Sequence, residues 1–311
     1  METAAQTLVD VPPLWRRVWY RGGMSVPRRS YRTDLSDARW ALIEPMLSAW
    51  RTARVGLGIS PIQHDLREIV NAILYVNRTG IAWEYLPHDF PPYKTVHGYF
   101  AAWEREGVTE AIHDALRGRV RRAAGRDAEP TAVILDAQSV KTSSNVPEDE
   151  QGIDAGKKIK GRKRHVATDV LGLLLVVFVT AASVQDTTGG RAVVQQVAAK
   201  HPTVSVAWVD AGYKKSVIDT GAAYGIDVQV VTKDPQQRGF TPQRKRWAVE
   251  RTFGWLMLHR RLARDYETNS QRSRAMIHWA MIDNMSRRLA GESTPSWRDS
   301  LPENTDIAGP L

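Results

Sequence analysis

Apolar residues recur every three to four positions before residue 125, and this spacing predicts a small all-helical domain over residues 33–125. The clearest run of such positions is Leu66, Ile69, Val70, Ile73 and Leu74. Residue types that favour helix starts precede three of the segments: Ser36, Ser60 with Pro61, and Thr95. A fourth helix is predicted after Gly107. Short helices joined by tight turns are typical of helix-turn-helix DNA-binding domains, although a helical interaction or dimerisation domain has the same pattern.

Beyond Pro130 the pattern changes to short apolar runs alternating with helical segments, which predicts an α/β domain over residues 130–290. Five strands are predicted, at 131–135, 163–169, 172–180, 204–209 and 226–231. The turn from Asp169 to Gly172 predicts that the second and third strands form an antiparallel hairpin. Helices are predicted at 190–200, at 214–223, around Glu250, and as an amphipathic segment at 270–289. The expected architecture is a mixed five-stranded sheet with helices.

The two ends of the chain lack periodicity. Residues 1–32 are predicted to be a flexible basic arm, and residues 291–311 a mobile tail. The longest apolar run, from Leu171 to Ala182, is well short of the roughly 20 residues that span a bilayer. With no signal-peptide pattern at the start, these features predict a soluble cytoplasmic protein that does not contact a membrane.

Composition narrows the function classes. The formal net charge is +9 and the pI is about 9.8, an excess that favours polyanionic partners, most often nucleic acid. A cationic protein without such a partner is the alternative. The sequence contains no cysteine, which excludes disulfide frameworks and zinc sites with thiolate ligands.

Three acidic residues stand out by their positions. Asp136 and Asp210 each follow a predicted strand, and Glu250 lies in a predicted helix between Arg246 and Arg251. A three-strand meander followed by alternating helices and strands is the order of the ribonuclease H-like fold, in which such acids meet at one sheet edge. Carboxylate oxygens suit Mg²⁺, and three carboxylates shared by two ions would leave room for a phosphate. The alternatives are strand-end caps for the aspartates and a helix-surface ion pair for Glu250.

Other acidic residues have simpler explanations. Asp169 opens a hairpin turn, and Asp186 lies among small polar residues typical of a loop. A dense basic run follows the first predicted strand: Lys157, Lys158, Lys160, Arg162, Lys163 and Arg164. A solvated basic loop is the ordinary interpretation, but its position favours phosphate contacts beside the acids. Arg246, Arg251, Arg260 and Arg261 are the other predicted DNA contacts. Among the tryptophans, core packing is favoured over stacking on a base.

The ordered set of motifs resembles bacterial DDE transposases of the insertion-sequence-five family, which is related to the insertion-sequence-four group. The matching segments in the first half are 35–45, 78–83 and 86–92. Those in the second half are Asp136-Ala-Gln-Ser-Val-Lys141, the segments 156–165 and 168–172, Asp210-Ala-Gly-Tyr213, and Trp247-Ala-Val-Glu250-Arg-Thr-Phe-Gly-Trp255. Arg246 fits the family's arginine four residues before the glutamate. Met257 departs from it, because the family often has a polar or basic residue seven positions after the glutamate.

The resemblance implies a catalytic domain with a ribonuclease H-like fold, in which Asp136, Asp210 and Glu250 form the DDE triad. It implies two Mg²⁺ ions, with Mn²⁺ as a substitute, and cleavage and strand transfer of double-stranded DNA at the element's terminal inverted repeats and at a target. It also implies a homodimer in the synaptic complex, acting at the bacterial nucleoid. The alternatives are a nuclease of the same fold without strand transfer, and a DNA-binding regulator that has lost catalysis.

Overall fold

The protein is described by a computed structural model that covers residues 28–54, 64–213, 215–231 and 244–294. The described residues from Arg32 onward form one compact unit, and the described residues up to Tyr31 belong to a separate one. Most of the predicted basic arm and mobile tail therefore lies outside the described residues. Within the described ranges, no helix is both long enough and apolar enough to cross a membrane.

The first half of the chain is helical, as the apolar spacing predicts. It contains helices α1 (Asp37–Thr52), α2 (Leu66–Thr79), α3 (Tyr93–Arg105) and α4 (Val108–Ala123), with a short 3₁₀ turn at Trp83–Tyr85 between α2 and α3. The positions that recur along α2 are all buried. Gly80 ends this helix with a φ of 78°, a left-handed conformation that favours glycine.

The predicted caps are partly right. Ser36 caps α1, because its side chain accepts a hydrogen bond from the backbone N–H of Arg39 at 3.2 Å. Ser60 and Pro61 lie outside the described residues, and the described part of α2 begins at Leu66 behind Asp65. The prediction for Thr95 is wrong, because α3 begins two residues earlier at Tyr93. Pro92 takes the N-cap position without a side-chain hydrogen bond, and its carbonyl accepts the N–H bonds of Thr95 and Val96.

The second half contains a mixed sheet that curls into a half-barrel flanked by helices, the ribonuclease H-like architecture of the predicted fold. Its strands are β1 (Ala132–Lys141), β2 (Gly152–Asp154), β3 (Ile159–Thr168), β4 (Leu174–Ala181), β5 (Val206–Val209) and β6 (Asp227–Val230). The order is β2-β3-β1-β5-β6, and β4 also pairs with β3. β1 is antiparallel to β3 and parallel to β5. The predicted β3–β4 hairpin is present, with Gly172 at a φ of 74° in its turn.

Three sequence expectations about the strands are corrected. The described sheet has six strands rather than five, because the three-residue β2 is too short to give a periodic signal. β1 continues to Lys141 instead of ending before Asp136, because β3 pairs with it as far as Gly161. β3 itself begins at Ile159, so most of the basic run is strand rather than loop.

Helices cover both faces of the sheet. The described helices of this half are α5 (Asp186–Lys200), α6 (Lys215–Ala223), α7 (Arg244–Met257), the short α8 (Arg260–Ala263) and α9 (Ser270–Ala290). One core forms where valines of α5 and α6 pack on β1, β4, β5 and β6. Helix α5 approaches the sheet closely at Gly189, where an added Cβ would lie 2.2 Å from the His165 ring. A glycine is therefore required there by the close packing of helix on strand.

Helix α9 is central rather than amphipathic, contrary to the prediction. Residues 275–287 are all buried, because α9 packs against α1 to α4 on one side and against β4 and α7 on the other. Three of the polar residues among them, Asp283, Ser286 and Arg287, have buried hydrogen-bond partners. Asp283, for example, accepts a hydrogen bond from the Arg39 guanidinium of α1 at 2.5 Å. The helical region and the sheet thus share one helix, and the sequence-derived domain boundaries stay a prediction.

Two buried histidines predict acid sensitivity. Burial lowers the pKa of His165 and of His259 from about 6.5 to about 4 in the folded protein. Below pH 6.5 the unfolded chain therefore binds protons that the folded chain does not, so stability is complete above pH 6.5 and falls as the pH drops toward 4. We expect a loss of about 1–2 kcal/mol per histidine between pH 7 and pH 5. Chemical unfolding at the two pH values measures it.

The control is His165→Gln, which cannot take up a proton. This variant should lose less stability than the wild type over the same pH interval, whatever its stability at pH 7. Equal losses in the two proteins would exclude His165 as a source of the acid sensitivity.

Candidate active site

Asp136 and Asp210 lie side by side where a parallel strand pair opens. The β1–β5 pairing runs from Ala132 opposite Val206 to Ile134 opposite Trp208 and then ends. The same register, continued by two residues, sets Asp136 opposite Asp210. Ligand sites commonly form just beyond the carboxyl ends of parallel strands, since side chains there face an opening in the sheet.

One arginine links the two aspartates. The Arg246 Nη2 atom of helix α7 is 3.4 Å from Asp136 Oδ2 and 3.6 Å from Asp210 Oδ2. Since a single nitrogen reaches both carboxylates, their Oδ2 atoms lie within about 7 Å of each other. The side chain of Asp136 is 15% exposed and that of Asp210 is 33% exposed, so solvent reaches both groups.

Backbone amides orient both carboxylates. Asp136 Oδ1 accepts a hydrogen bond from the Ala137 N–H at 2.7 Å, and Asp210 Oδ1 accepts one from the Gly212 N–H at 2.8 Å. These are the strand-end caps considered as an alternative, and they leave one oxygen of each carboxylate facing Arg246. Each aspartate can therefore accept the backbone hydrogen bond through one oxygen and bind a metal ion through the other.

Burial raises the pKa of Asp136, and the negative charge of Asp210 raises it further. The Ala137 N–H and the Arg246 guanidinium act in the opposite direction. Because burial is the main cause of the raised pKa, additional positive charge beside Asp136 would stabilise its ionised form. A perturbed acid of this kind in an accessible cleft is a feature of functional sites.

Glu250 lies one helical turn after Arg246 on α7, and residues four apart lie on the same face of a helix. Its side chain is exposed, and within the described residues it forms no ion pair with Arg246, whose guanidinium binds the aspartates instead. The described residues contain no group of three acidic or histidine side chains close enough to hold a metal ion. The structure thus brings together Asp136, Asp210 and Arg246, and the membership of Glu250 in the site stays a prediction.

The donor set at this opening fits a divalent cation of the magnesium type. Asp136 and Asp210 offer hard carboxylate oxygens, the ligands that Mg²⁺ prefers, and Mg²⁺ needs only one or two protein carboxylates per ion. The Arg246 guanidinium already places one positive charge between the two acids. Its position shows that a cation is electrostatically favoured at this point.

The rival acids have structural roles. Asp169 is fully buried, forms an ion pair with Arg121 of α4, and accepts hydrogen bonds from the N–H groups of Leu171 and Leu173 at 2.9 and 2.8 Å. It holds the β3–β4 turn, as the sequence indicates. Asp186 is the first residue of α5 rather than part of a loop, and it pairs with Lys163 at 2.9 Å.

The basic run divides into an exposed and a buried part. Lys157, Lys158 and Lys160 are exposed. Arg162, Lys163 and Arg164 are buried on β3, where neighbouring side chains point to opposite faces. Lys163 pairs with Asp154 and Asp186 on the α5 side, and Arg162 pairs with Glu150 and Asp265 on the other. Because these three side chains are buried, they do not form a surface that could contact phosphates.

The other predicted DNA contacts also differ in exposure. Arg260 is exposed, whereas Arg261 is buried against Glu267 at 2.9 Å and donates to the Ile81 carbonyl at 2.8 Å. Arg251 is half-buried, donates to the carbonyl of Leu171 at 2.8 Å and lies over the Trp255 ring. Arg260 is therefore the freest of these arginines to meet a ligand.

Tyr213 is a site residue to which the sequence reasoning assigned no role. It is buried three positions after Asp210, and burial raises the pKa of its hydroxyl, with further contributions from Asp136, Asp186 and Asp210. Gly190 lies against its ring, where an added Cβ would be 2.5 Å away. The sequence signal that could have identified Tyr213 was its place in the Asp210-Ala-Gly-Tyr213 motif.

Comparison with known families agrees with this geometry. A family model described as the transposase DDE domain matches residues 127–285, just over half of the chain. A second model, for transposases of the IS4/5 family, matches residues 35–113. No curated protein sequence matches the chain.

Proposed function

The chain belongs to the DDE transposases of the IS4/IS5 type, and we propose that it binds the ends of its insertion sequence and catalyses metal-dependent cleavage and strand transfer of DNA. The observation that carries the proposal is the pair Asp136 and Asp210, set side by side at the open end of two parallel strands. Two adjacent carboxylates at such an opening are sufficient to bind a divalent metal ion against a phosphate.

Asp136, Asp210 and Glu250 would hold two Mg²⁺ ions, or Mn²⁺ in their place. When bound, such ions activate an attacking oxygen and stabilise the leaving oxygen of a phosphodiester. Glu250 would supply the third carboxylate from α7, on the helix face that carries Arg246.

The protein's own groups prepare the site. The N–H groups of Ala137 and Gly212 fix one oxygen of each aspartate and so aim the other at the opening. Arg246 offsets the repulsion between the two acids. Because these groups are held by a strand, a turn and a helix, little reorganisation is needed when a phosphate arrives.

Exposed cations in the second half of the chain support a DNA surface. Lys157, Lys158, Lys160 and Arg260 are exposed, and their charge is of the sign that phosphates require. Helices α1 to α4 would recognise the terminal inverted repeats. Because two element ends must be joined, the active form would be a homodimer or larger, acting on target DNA at the nucleoid in the bacterial cytoplasm.

The test is cleavage of a supercoiled plasmid that carries the element's own ends, with Mg²⁺, Mn²⁺ or EDTA. We expect nicks or breaks at the ends with either metal, joined products with a target plasmid, and no reaction in EDTA. Cleavage without joined products would indicate a nuclease of the same fold. End binding without cleavage under any metal would reject the enzymatic proposal and leave a DNA-binding regulator.

A further inference from the structure

The turn between β2 and β3 carries a lysine to the edge of the candidate site. The Lys157 Nζ atom donates to the carbonyl oxygen of Ala137 at 3.2 Å. Ala137 directly follows Asp136, and its N–H is the group that orients the Asp136 carboxylate. The lysine ammonium therefore lies one peptide unit from Asp136, although β2 and β1 are separated in the sheet by β3.

Asp154 fixes the shape of this turn. Its Oδ1 atom accepts hydrogen bonds from the N–H groups of Gly156 and Lys157, both at 3.1 Å. Lys158, the last residue of the turn, has a φ of 54°, a left-handed conformation that reverses the chain into β3. The direction in which Lys157 leaves the backbone is thus set by a local hydrogen-bonded loop.

The sheet in turn anchors Asp154. Its Oδ2 atom accepts a hydrogen bond from Ser139 Oγ of β1 at 2.5 Å and pairs with Lys163 Nζ of β3 at 3.2 Å. Burial opposes ionisation of Asp154, but these partners and the Lys157 N–H outweigh it and lower its pKa to about 2. Asp154 is therefore ionised at neutral pH and ties the turn to the strand that bears Asp136.

Lys157 differs from the neighbouring lysines in its contact with the Ala137 carbonyl beside Asp136. Lys160 is exposed and pairs with Glu148 at 2.8 Å, and Lys158 is exposed within the same turn. The Lys157 side chain is also exposed, so a ligand can replace the single Ala137 carbonyl as its partner. An ammonium held at the carbonyl of the residue that follows Asp136 is within reach of a phosphate that the two aspartates engage, and it can bind an oxygen of that phosphate.

We propose that Lys157 is a catalytic residue that binds the DNA phosphate undergoing cleavage, and that Asp154 is the residue that positions it. The inference rests on the proposed function, because it needs a phosphodiester at the Asp136–Asp210 opening. Lys158 and Lys160 then belong to the general phosphate-contacting surface. The difference is that Lys157 acts on the rate of cleavage, whereas its neighbours act on affinity.

The experiment compares Lys157→Ala, Lys157→Arg and Asp154→Asn with Lys158→Ala, the matched control from the same turn. End-binding affinity is measured by fluorescence anisotropy in EDTA, and cleavage by single-turnover kinetics at saturating protein. We expect Lys157→Ala to lower the cleavage rate about 100-fold, the usual effect of removing one charge-stabilising donor. Its affinity loss should be no larger than that of Lys158→Ala.

Two further readouts separate positioning from folding. Lys157→Arg should recover part of the lost rate because it keeps the charge. Asp154→Asn should lower the rate, and adding it to Lys157→Ala should cause little further loss, since both act through one ammonium. Equal rate losses for Lys157→Ala and Lys158→Ala, with an active wild type, would overturn this inference alone. A wild type that cleaves nothing would overturn the proposed function and this inference with it.

Discussion

Asp136→Asn should reduce DNA cleavage by at least about 1,000-fold while end binding persists. The substitution keeps the size and the Ala137 hydrogen bond but removes the charge that would hold a metal ion beside the phosphate. A loss of this size corresponds to about 4 kcal/mol of transition-state stabilisation, within the range for a central electrostatic group. The measurement is single-turnover cleavage of end-bearing plasmid with Mg²⁺, together with end-binding affinity.

Asp210→Asn and Glu250→Gln should show the same loss if the three carboxylates act as one unit. Asp219→Asn is the matched control, because Asp219 is an exposed acid on α6 that pairs with Lys215. Normal cleavage by Glu250→Gln, with both aspartate variants inactive, would show that the third ligand is another residue. Cleavage by either aspartate variant at the wild-type rate would mean that the site lies elsewhere.

Asp169→Ala should destabilise the protein by about 3–5 kcal/mol, the cost of removing one partner of a buried ion pair. The carboxylate is fully buried against Arg121, so its loss leaves an uncompensated guanidinium in the interior. The N–H groups of Leu171 and Leu173 also lose their acceptor. Urea unfolding measures the change in the free energy of unfolding.

The double variant Asp169→Ala with Arg121→Met provides the control. It removes both charges, so it should be more stable than Asp169→Ala alone. If Asp169→Ala costs less than about 1 kcal/mol, or if the double variant is no better, the pair does not hold the β3–β4 turn in solution. Cleavage per folded molecule should change little in the double variant.

Local pattern was sufficient for much of the fold. The apolar spacing of α2 and the Asp169–Gly172 turn were interpreted correctly, because each signal comes from neighbouring residues. Asp210 follows β5 as predicted, whereas Asp136 lies within β1, because the pairing of β1 with β3 continues beyond the apolar run. That they are in register across β1 and β5 depends on strand pairing, for which the sequence carried no separate signal.

The basic run misled the sequence interpretation for a physical reason. A cluster of charges ordinarily marks a solvated surface, because burying an unpaired charge is costly. Here Arg162 is buried because Asp265, more than a hundred residues later, reaches it at 3.2 Å. An ion-pair partner so distant in the sequence cannot be recognised from the residues around Arg162. The apolar residues after His165 were the available hint that the strand extends through the charges.

Helix α9 was misjudged in the same way. Its polar residues suggested one solvent-exposed face. In the structure Asp283 forms an ion pair with Arg39 of α1, and Ser286 accepts a hydrogen bond from the same guanidinium at 3.1 Å. Glu250 is a different case. Its place in a helix was predicted, but sequence periodicity does not determine whether its side chain reaches the two aspartates.

The central position of α9 also has a consequence for the order in which the protein is made. Helices α1 to α4 leave the ribosome first, but the helix that fills the space between them and the sheet is synthesised some 150 residues after them. Until Ala290 has emerged, the apolar faces of those early helices lack their partner. Contacts so distant along the chain slow folding and expose nascent chains to aggregation, so the early helices depend on the synthesis of α9 before their packing is complete.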